Sequence, residues 1–243
     1  MLLINMHLVF TMAGYYKRFE SLSLNIPKYL LPYKDQSIFY EVVKGHLSSE
    51  ITKISFIVNK RDSNYFNLLK FQIKSLKIQN FNFVVIEKTN SQIETINKGI
   101  LKILEKSKNN LPLAITNIDT LIINRNFKLY NNLIKKNDCL VDIFKSNNRG
   151  YSYVIFDKNK NVINIKEKII ISNYASSGLY IFKNSKILLE QLKISMNDKD
   201  GYFSQMINRM IQSNLKVICN KISNSEKTIV LGTPDQYLSE IQK

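Results

Sequence analysis

The sequence contains no tryptophan, only two cysteines, and few of the residues that interrupt regular structure. Its 243 residues include seven glycines and four prolines, which excludes collagen-like and low-complexity chains. Cys139 and Cys219 each lie in an apolar, strand-like run. The sequence therefore predicts neither a disulfide framework nor a cysteine metal cluster. This cysteine content is typical of a protein from a reducing compartment. We expect a globular chain that folds without covalent cross-links.

Long apolar runs are also missing from the sequence. No stretch approaches the roughly 18 consecutive apolar residues of a membrane-spanning helix. The apolar segment 1–10 lacks the basic residues and the small-residue cleavage site of an export signal. We therefore expect a first strand at this end of the chain, no membrane span, and a cytoplasmic location.

Negative charge is scarce relative to positive charge. The chain has 35 Lys and Arg residues against 19 Asp and Glu, which gives a formal net charge of +16. Such a balance could indicate a nucleic-acid or membrane surface. The lysines are scattered, however, with no arginine-rich block and no RNA-binding aromatic motif. Lys, Asn and Ile abound throughout, as an AT-rich coding bias would produce. We therefore predict an anionic small molecule as the partner and consider nucleic acid unlikely.

Apolar runs typical of buried strands alternate with segments of helical length in the first half of the chain. The runs are residues 7–11, 53–58, 81–86 and 111–116, and the helical segments between them are residues 37–48, 62–76 and 91–105. This order predicts an α/β fold with a Rossmann-like, mixed but mostly parallel sheet that is flanked by helices. Ligands of such sheets bind beyond the carboxyl ends of the strands.

The second half contains shorter predicted strands and few helices. Strands are expected at residues 138–144, 151–157, 162–167, 174–182 and 216–219, with helices at residues 201–212 and after Pro234. This region predicts a small added β region beside the main sheet. Because no linker or composition shift separates the halves, we expect a single domain over residues 1–243.

The first strand leads into a motif suited to binding phosphate. A turn at Ala13 and Gly14 follows the strand, then a loop with Lys17 and Arg18, and then Pro27-Lys28. A glycine lets the backbone approach a ligand closely. Consecutive loop N–H groups can bind an anion, and an arginine fork fits phosphate oxygens. The pattern predicts a polyphosphate-binding loop.

Three further segments carry polar groups at predicted element ends, and each also has a purely structural interpretation. Ser91 and Glu94 have the spacing of a helix capping box. Asp119, after the strand that ends near Asn117, could bind a hard cation or cap a turn. Glu167 and Lys168 end a predicted strand and could form a solvated hairpin end or a binding site.

Taken together, these blocks resemble the sugar-phosphate nucleotidylyltransferases, the NTP_transferase family, which has a Rossmann-like, glycosyltransferase-A-like fold of the nucleotide-diphospho-sugar transferase type. The resemblance covers nearly the full length. Its blocks are Met12-Ala13-Gly14 with Arg18-Phe19, Pro27-Lys28-Tyr29-Leu30-Leu31-Pro32, Ser91-Gln92-Ile93-Glu94-Thr95, Asn117-Ile118-Asp119, Gly150-Tyr151, Glu167-Lys168, Ser177-Gly178, and Leu231-Gly232-Thr233-Pro234-Asp235.

The resemblance implies an enzyme that transfers an NMP group from an NTP to a phosphorylated acceptor, such as a sugar 1-phosphate, and releases pyrophosphate. It implies Mg²⁺, a nucleotide-binding half at about residues 1–125, an acceptor-binding half at about residues 126–243, a possible homo-oligomer, and a role in surface polysaccharide (capsule) or lipid head-group pathways. The implied residues are Arg18, Lys28 and Asp119 for catalysis, Asp119 for the metal, Met12, Ala13, Gly14, Lys17, Gln92, Glu94 and Asn117 for the nucleotide, and Gly150, Glu167, Lys168, Ser177 and Gly178 for the acceptor.

The sequence departs from the family pattern at several positions. Many members carry a second metal-binding aspartate where this chain has Val230, so Asp119 alone, or a substitute such as Asp200 or Asp235, would have to hold the metal. Tyr16 stands where the first loop often has a second glycine. Ser91 and Ile93 replace the usual glycine and alanine, and either change is expected to add bulk near the base.

Two other functions remain open. A metal-dependent glycosyltransferase of the same fold would use Asp119 to hold a metal on a nucleotide-sugar diphosphate, but that reaction needs no triphosphate loop. A non-catalytic nucleotide-binding relative is favoured by Tyr16, Ser91 and Val230. Neither the base of the NTP nor the acceptor can be named from the sequence.

Overall fold

The computed structural model describes residues 5–22, 26–105, 110–196, 198 and 200–243. The strands, in chain order, are β1 (Met6–Thr11), β2 (Pro32–Tyr33), β3 (Gln36–Ser37), β4 (Ile51–Asn59), β5 (Phe81–Ile86), β6 (Leu113–Asn117), β7 (Thr120–Ile123), β8 (Cys139–Lys145), β9 (Ser152–Phe156), β10 (Val162–Glu167), β11 (Tyr174–Phe182), β12 (Val217–Cys219) and β13 (Lys227–Val230). The α-helices are α1 (Ile38–Gly45), α2 (Phe66–Ser75), α3 (Gln92–Glu105), α4 (Phe127–Ile134), α5 (Ser185–Ser195), α6 (Phe203–Gln212) and α7 (Pro234–Ile241). Short 3₁₀ segments cover Lys17–Leu22, Lys28–Leu30 and Lys60–Tyr65.

A nine-stranded mixed sheet forms the centre of the molecule. Its main order is β10-β9-β11-β6-β1-β4-β5, with β8 paired to β11 and β12 paired to β8. Strands β6, β1, β4 and β5 are parallel, whereas β11 runs antiparallel to β6, β8 and β9. The predicted α/β fold, a mixed sheet flanked by helices, is confirmed, and strands from both halves of the chain belong to this one sheet.

Strand β1 shows why the sheet is covered on both faces. Leu8 and Phe10 pack into one hydrophobic cluster, whereas Val9 between them packs into a second cluster. Successive side chains of a strand point to opposite faces. Because Leu8, Val9 and Phe10 are consecutive and all apolar, the strand must be buried on both sides, as parallel strands between two helix layers are.

The helical spacing predicted for residues 91–105 is realised in α3. Ile93, Ile96 and Ile100 are fully buried, and Leu104 packs at the edge of the same cluster. In α6, which realises the helix predicted at residues 201–212, an apolar stripe of Phe203, Met206, Ile207 and Met210 is likewise buried.

Strands β7 and β13 form a separate two-stranded antiparallel sheet that the sequence did not reveal. In this sheet Val230 lies opposite Thr120. The backbone N–H of Leu231 then donates to the carbonyl oxygen of Asp119 at 2.7 Å. The small sheet thus brings the C-terminal motif to the end of β6, where the predicted metal ligand lies.

Neither cysteine is engaged in a disulfide bond, and both Cys139 and Cys219 are buried. Among the residues that the structure describes, no helix combines the length and the apolar character that crossing a bilayer requires.

Candidate functional site

A cleft of about 530 Å³ opens beyond the carboxyl ends of β1 and β6, as the sheet order predicts. Most of the residues expected to bind the nucleotide or act in catalysis line it. They are Met12, Ala13, Gly14, Arg18, Lys28, Gln92, Asn117 and Asp119. The structure therefore brings together the blocks that are far apart in sequence.

Residues 12–18, called the phosphate loop below, leave β1 at the floor of this cleft. The Met12 N–H donates to the carbonyl oxygen of Ile57 at 2.9 Å, and Met12 and Ala13 are buried. Gly14 is exposed, and a Cβ built on it would meet nothing within 4 Å. The protein's own packing therefore does not require glycine here, and the open space beside Gly14 is available to a ligand.

Arg18 and Lys17 begin the 3₁₀ segment that follows the turn, but only one of them faces the cleft. Arg18 lines the cleft, and its positive charge helps to lower the pKa of Asp119. Lys17 is exposed and belongs to the lining of neither this cleft nor the acceptor cleft described below. Arg18 therefore faces the cleft, and contact of Lys17 with the nucleotide stays a prediction.

Lys28 and Asp119 form an ion pair at the centre of the site. Pro27, with φ −56° and ψ 137°, precedes the 3₁₀ segment that carries Lys28, and the Lys28 ammonium donates to Asp119 Oδ2. Burial alone would raise the pKa of the Asp119 carboxyl, but Lys28 outweighs it, with help from the Thr120 hydroxyl, and holds that pKa below its usual value. Asp119 is therefore an anion at neutral pH.

Asn117, at the end of β6, connects three elements of the site. Its Oδ1 accepts from Thr11 Oγ1 at 3.3 Å and from Gln92 Nε2 at 3.5 Å. Gly178 has φ +86°, and a Cβ there would lie 2.6 Å from Asn117 Nδ2. Glycine is needed at this point of β11 both for its conformation and because Asn117 packs against it.

At the start of α3 the capping interpretation of Ser91 and Glu94 is realised. Ser91 Oγ accepts from the Glu94 N–H at 3.1 Å, and Glu94 Oε2 accepts from the Asn90 N–H at 2.8 Å. The Asn90 bond and Lys98 lower the pKa of Glu94. Glu94 does not line the cleft, and Ile93 is fully buried, so the bulk expected from Ile93 near a base is not found.

A second cleft of about 420 Å³, called the acceptor cleft below, continues from the first. Arg18, Gln92, Asn117 and Asp119 line both clefts. All five residues expected at the acceptor also line it: Gly150, Glu167, Lys168, Ser177 and Gly178.

Glu167 and Lys168 are held in place by neighbours within the acceptor cleft. Glu167 Oε2 accepts from Ser152 Oγ at 2.5 Å and from Ser204 Oγ at 3.1 Å. Lys168 has φ +56°, and its Nζ donates to the Tyr202 hydroxyl at 3.0 Å. Glu167 is half-buried and belongs to a polar wall of the cleft, whereas Lys168 lies at the exposed edge of the same wall.

The side chains around Asp119 decide whether the Mg²⁺ ion that the resemblance implies fits there. Within the described residues no cluster of three or more His, Cys, Asp or Glu side chains could hold a metal ion. Val230 is paired opposite Thr120, next to Asp119, and Asp200 lines neither cleft, whereas Asp235 lines the acceptor cleft. One ionised carboxylate facing a cleft fits a Mg²⁺ ion whose other ligands are substrate oxygens and water.

Sequence reasoning missed several lining residues. Thr89 and Asn90 line the first cleft and follow β5, so the rule that ligands bind beyond strand ends could have found them. In the acceptor cleft Gln236 Nε2 donates to the Tyr151 hydroxyl at 2.8 Å. The two side chains come from segments far apart in the chain, and no local pattern predicts their contact.

Comparison with known proteins gives a family match and many structural matches. The model of a family described as Nucleotidyl transferase matches residues 10–239. A nucleoside-diphosphate-sugar pyrophosphorylase from Vibrio cholerae RC9 superposes with a TM-score of 0.82 at 24% identity, covering 97% of this chain and 100% of that one. A UDP-glucose pyrophosphorylase in complex with UDP-glucose gives 0.77 at 18% identity, covering 98% and 97%. The inositol-1-phosphate CTP transferase from T. maritima gives 0.72 at 12% identity, covering 99% and 97%.

A comparison of the sequence with curated proteins gives no match. The structural likenesses, all at less than 25% identity, establish the fold, and the match to the family model extends over nearly the whole chain.

Proposed function

Because this chain belongs to the nucleotidyl transferase family, a family of enzymes, we propose that it transfers an NMP group from an NTP to a phosphorylated small-molecule acceptor and releases pyrophosphate. A sugar 1-phosphate is the simplest acceptor. In this proposal residues 1–125 bind mainly the nucleotide and residues 126–243 mainly the acceptor.

The observation that carries the proposal is the junction of the two clefts. Arg18, Gln92, Asn117 and Asp119 line both. Two anionic substrates that react with each other need cations and polar groups on both sides of the place where they meet. The phosphate loop supplies such groups on one side, and the polar wall with Lys168 supplies them on the other. A site for one nucleotide sugar would not need a second set of cations at the triphosphate end.

The reaction needs positioning and charge more than proton transfer. A phosphate oxygen of the acceptor attacks the α-phosphorus, and the bond from that phosphorus to the bridging oxygen breaks as pyrophosphate leaves. The nucleophile is already an anion near neutral pH, so no strong general base is required. Holding the two anions in line and stabilising the charge that develops should supply most of the acceleration.

Each charged side chain of the site has a place in this scheme. Arg18 would contact the β- and γ-phosphates, Lys28 the α-phosphate, and Lys168 the phosphate of the acceptor. Glu167, already accepting two hydroxyl hydrogen bonds, would accept from hydroxyl groups of the acceptor. Asn117 and Gln92 would orient the substrates where the clefts meet.

Enzymes of this family generally depend on a divalent metal ion, and we propose Mg²⁺ held by Asp119. When bound, this ion would neutralise phosphate charge at the reacting end of the NTP. For Asp119 to bind it, Lys28 has to leave the carboxylate and turn toward the phosphates. Asp235, which also lines the acceptor cleft, would contribute through water.

The biological setting follows only from the resemblance. We propose a cytoplasmic enzyme that supplies activated precursors for surface polysaccharide biosynthesis, with a homo-oligomer as a possible assembly. The structural neighbours bear names with different nucleotides and acceptors, UDP-glucose in one and inositol 1-phosphate with CTP in another. The fold therefore does not choose the base or the acceptor.

A matrix of NTPs against phosphorylated acceptors, read by pyrophosphate release, tests the proposal. ATP, CTP, GTP, UTP and dTTP are combined with sugar 1-phosphates, inositol 1-phosphate and phosphocholine, with and without Mg²⁺. We expect release that requires one NTP, one acceptor and the metal, and that is lost in Asp119→Ala. NDP release from a nucleotide sugar without pyrophosphate would indicate a glycosyltransferase. Binding without turnover of any pair would indicate a non-catalytic relative.

A further inference from the structure

Two side chains that line neither cleft, those of Arg61 and Asp62, contact the phosphate loop. Arg61 Nη2 donates to the carbonyl oxygen of Gly14 at 2.6 Å. The same guanidinium lies 4.1 Å from the ring centre of Tyr15 and 4.6 Å from that of Tyr16. Arg61 thus contacts three successive residues of the phosphate loop, although it follows a different strand, β4.

Asp62 extends this contact to the second part of the phosphate-binding motif. Its side chain is buried and accepts from Arg61 Nε at 3.1 Å and from the hydroxyls of Tyr16 at 3.4 Å and Tyr29 at 3.0 Å. Burial, reinforced by the Asp62 charge, raises the pKa of Tyr29, so this hydroxyl remains a donor. Tyr29 directly follows Lys28, and Asp62 therefore joins the phosphate loop to the segment that carries the lysine.

The contacts of Arg61 and Asp62 explain why the phosphate loop carries two tyrosines to which the proposed reaction gives no role. Tyr15 and Tyr16 stand where the family that the chain resembles often has small residues. A planar guanidinium stacks on aromatic faces and keeps its donors in a fixed fork. The two rings and the Gly14 carbonyl offer Arg61 both kinds of contact at once, which small residues could not.

We propose that Arg61 and Asp62 are positioning residues that hold the phosphate loop, and the backbone segment that carries Lys28, in place to receive a triphosphate. Ordering a loop before binding removes part of the entropy that binding would otherwise cost. The effect should therefore appear in the affinity for polyphosphate and in the rigidity of the loop. This inference rests on the proposed function only in naming the ligand.

Limited proteolysis tests the inference without turnover. Trypsin cleaves after Lys17 and Arg18, and both lie in the phosphate loop that Arg61 contacts. We expect Arg61→Ala to speed cleavage at these two bonds about tenfold, because local opening sets the rate, and Arg61→Lys to give an intermediate rate. Lys60→Ala is the matched control: it removes a neighbouring charge that is 70% exposed and paired with Glu87, and its rate should equal that of the wild type.

Binding of inorganic tripolyphosphate with Mg²⁺, measured by calorimetry, is the second readout, because it does not depend on the base or the acceptor. We expect about tenfold weaker binding in Arg61→Ala, unchanged binding in Lys60→Ala, and, with the active NTP, a raised KM at nearly constant kcat. If tripolyphosphate binds neither the wild type nor the variants, the proposed function fails while the proteolysis still tests the loop.

Equal cleavage rates in Arg61→Ala and Lys60→Ala would overturn the inference. So would weaker binding of tripolyphosphate without faster cleavage, since Arg61 would then contact the ligand itself. If Arg61→Ala does not fold, Tyr16→Phe with Tyr29→Phe removes only two hydroxyls that bond to Asp62. Faster cleavage in that double variant supports the inference, and an unchanged rate overturns the role of Asp62.

Discussion

Lys28 and Asp119 are joined to each other in the structure, yet the proposed reaction requires each of them elsewhere. The pair keeps two charges compensated at the centre of a cleft, where an unpaired charge would be costly. In the proposed reaction the phosphates would replace Asp119 as the anionic partner of Lys28, and the metal ion would replace Lys28 as the cationic partner of Asp119. The site can therefore exchange its internal ion pair for substrate contacts without leaving a charge uncompensated.

The charge exchange at Lys28 leads to a kinetic prediction. If the ammonium acts on the α-phosphate as charge develops there, Lys28→Ala should lower kcat by about 100-fold or more and weaken NTP binding much less. Steady-state kinetics combined with a direct binding assay separates the two effects. Lys17→Ala is the control, because Lys17 is an exposed cation of the same loop that lines neither cleft. An equal loss of binding and of kcat in Lys28→Ala would contradict this role.

Residue patterns in the sequence were sufficient to predict which side chains line the clefts wherever a motif marks a strand end. Gly14, Asn117 and Asp119 are such cases. The roles of Arg61 and Asp62 could not be predicted, because their contacts with the phosphate loop depend on how a 3₁₀ turn after β4 packs against a loop after β1. No local spacing encodes that contact.

Elements were predictable where long apolar runs are bounded by polar turns. The bounds expected for β5, β10 and β11 agree with the structure. Six strands and α-helices without such runs were not foreseen: β2, β3, β7, β13, α4 and α5. Strands β7 and β13 have four residues each and pair across a large part of the chain, which a local pattern cannot indicate. Helices α4 and α5 begin at asparagine caps, Asn126 and Asn184, a signal that could have revealed them.

The contact between α1 and β7 connects the small sheet to the site. A Cβ added at Gly45 would lie 2.5 Å from the backbone oxygen of Ile122 and 2.6 Å from Leu121 Cδ1. Since β7 begins at the residue after Asp119, a displacement of this strand would reach the candidate metal ligand. Because glycine has no side chain, α1 can pack closely against β7 at Gly45, and this packing helps to position Asp119.

Substitution of Gly45 by alanine tests the contact between α1 and β7, because the sign of the change in the free energy of unfolding depends on how tightly the two elements pack. In an unobstructed helix the change would stabilise by up to about 1 kcal/mol, whereas overpacking against a backbone oxygen should cost about 1–3 kcal/mol. We expect Gly45→Ala to lower the free energy of unfolding in urea. Lys44→Ala, at a side chain 59% exposed in the same helix, should change it by less than about 0.5 kcal/mol. A more stable Gly45→Ala would show that α1 and β7 are not in tight contact.

The net charge of +16 comes from Lys and Arg residues that are scattered along the sequence. The cations at the candidate site are few, and the lysine side chains described elsewhere are largely at the surface. The positive balance is therefore compatible with anionic substrates and with compositional bias together.

The two histidines of the sequence, His7 and His46, make the stability of the whole molecule depend on pH. Burial lowers the pKa of each to about 4. His7 Nε2 lies 2.8 Å from Ser55 Oγ, and His46 Nδ1 lies 2.8 Å from the carbonyl oxygen of Val42. In the unfolded chain both titrate near pH 6.5, so between pH 6.5 and pH 4 the unfolded state binds more protons than the folded state.

Stability should therefore be complete above pH 6.5 and fall as the pH decreases toward 4, by about 3 kcal/mol or less for each histidine. Urea unfolding between pH 7.5 and pH 4.5 measures this slope, and proton NMR of the two imidazoles at pH 5.5 should show both still neutral. His7→Gln and His46→Gln should each reduce the slope, because glutamine does not titrate, whatever their effect at pH 7.5. A slope that is unchanged in both variants would mean that other groups, such as the carboxylates, account for the loss of stability in acid.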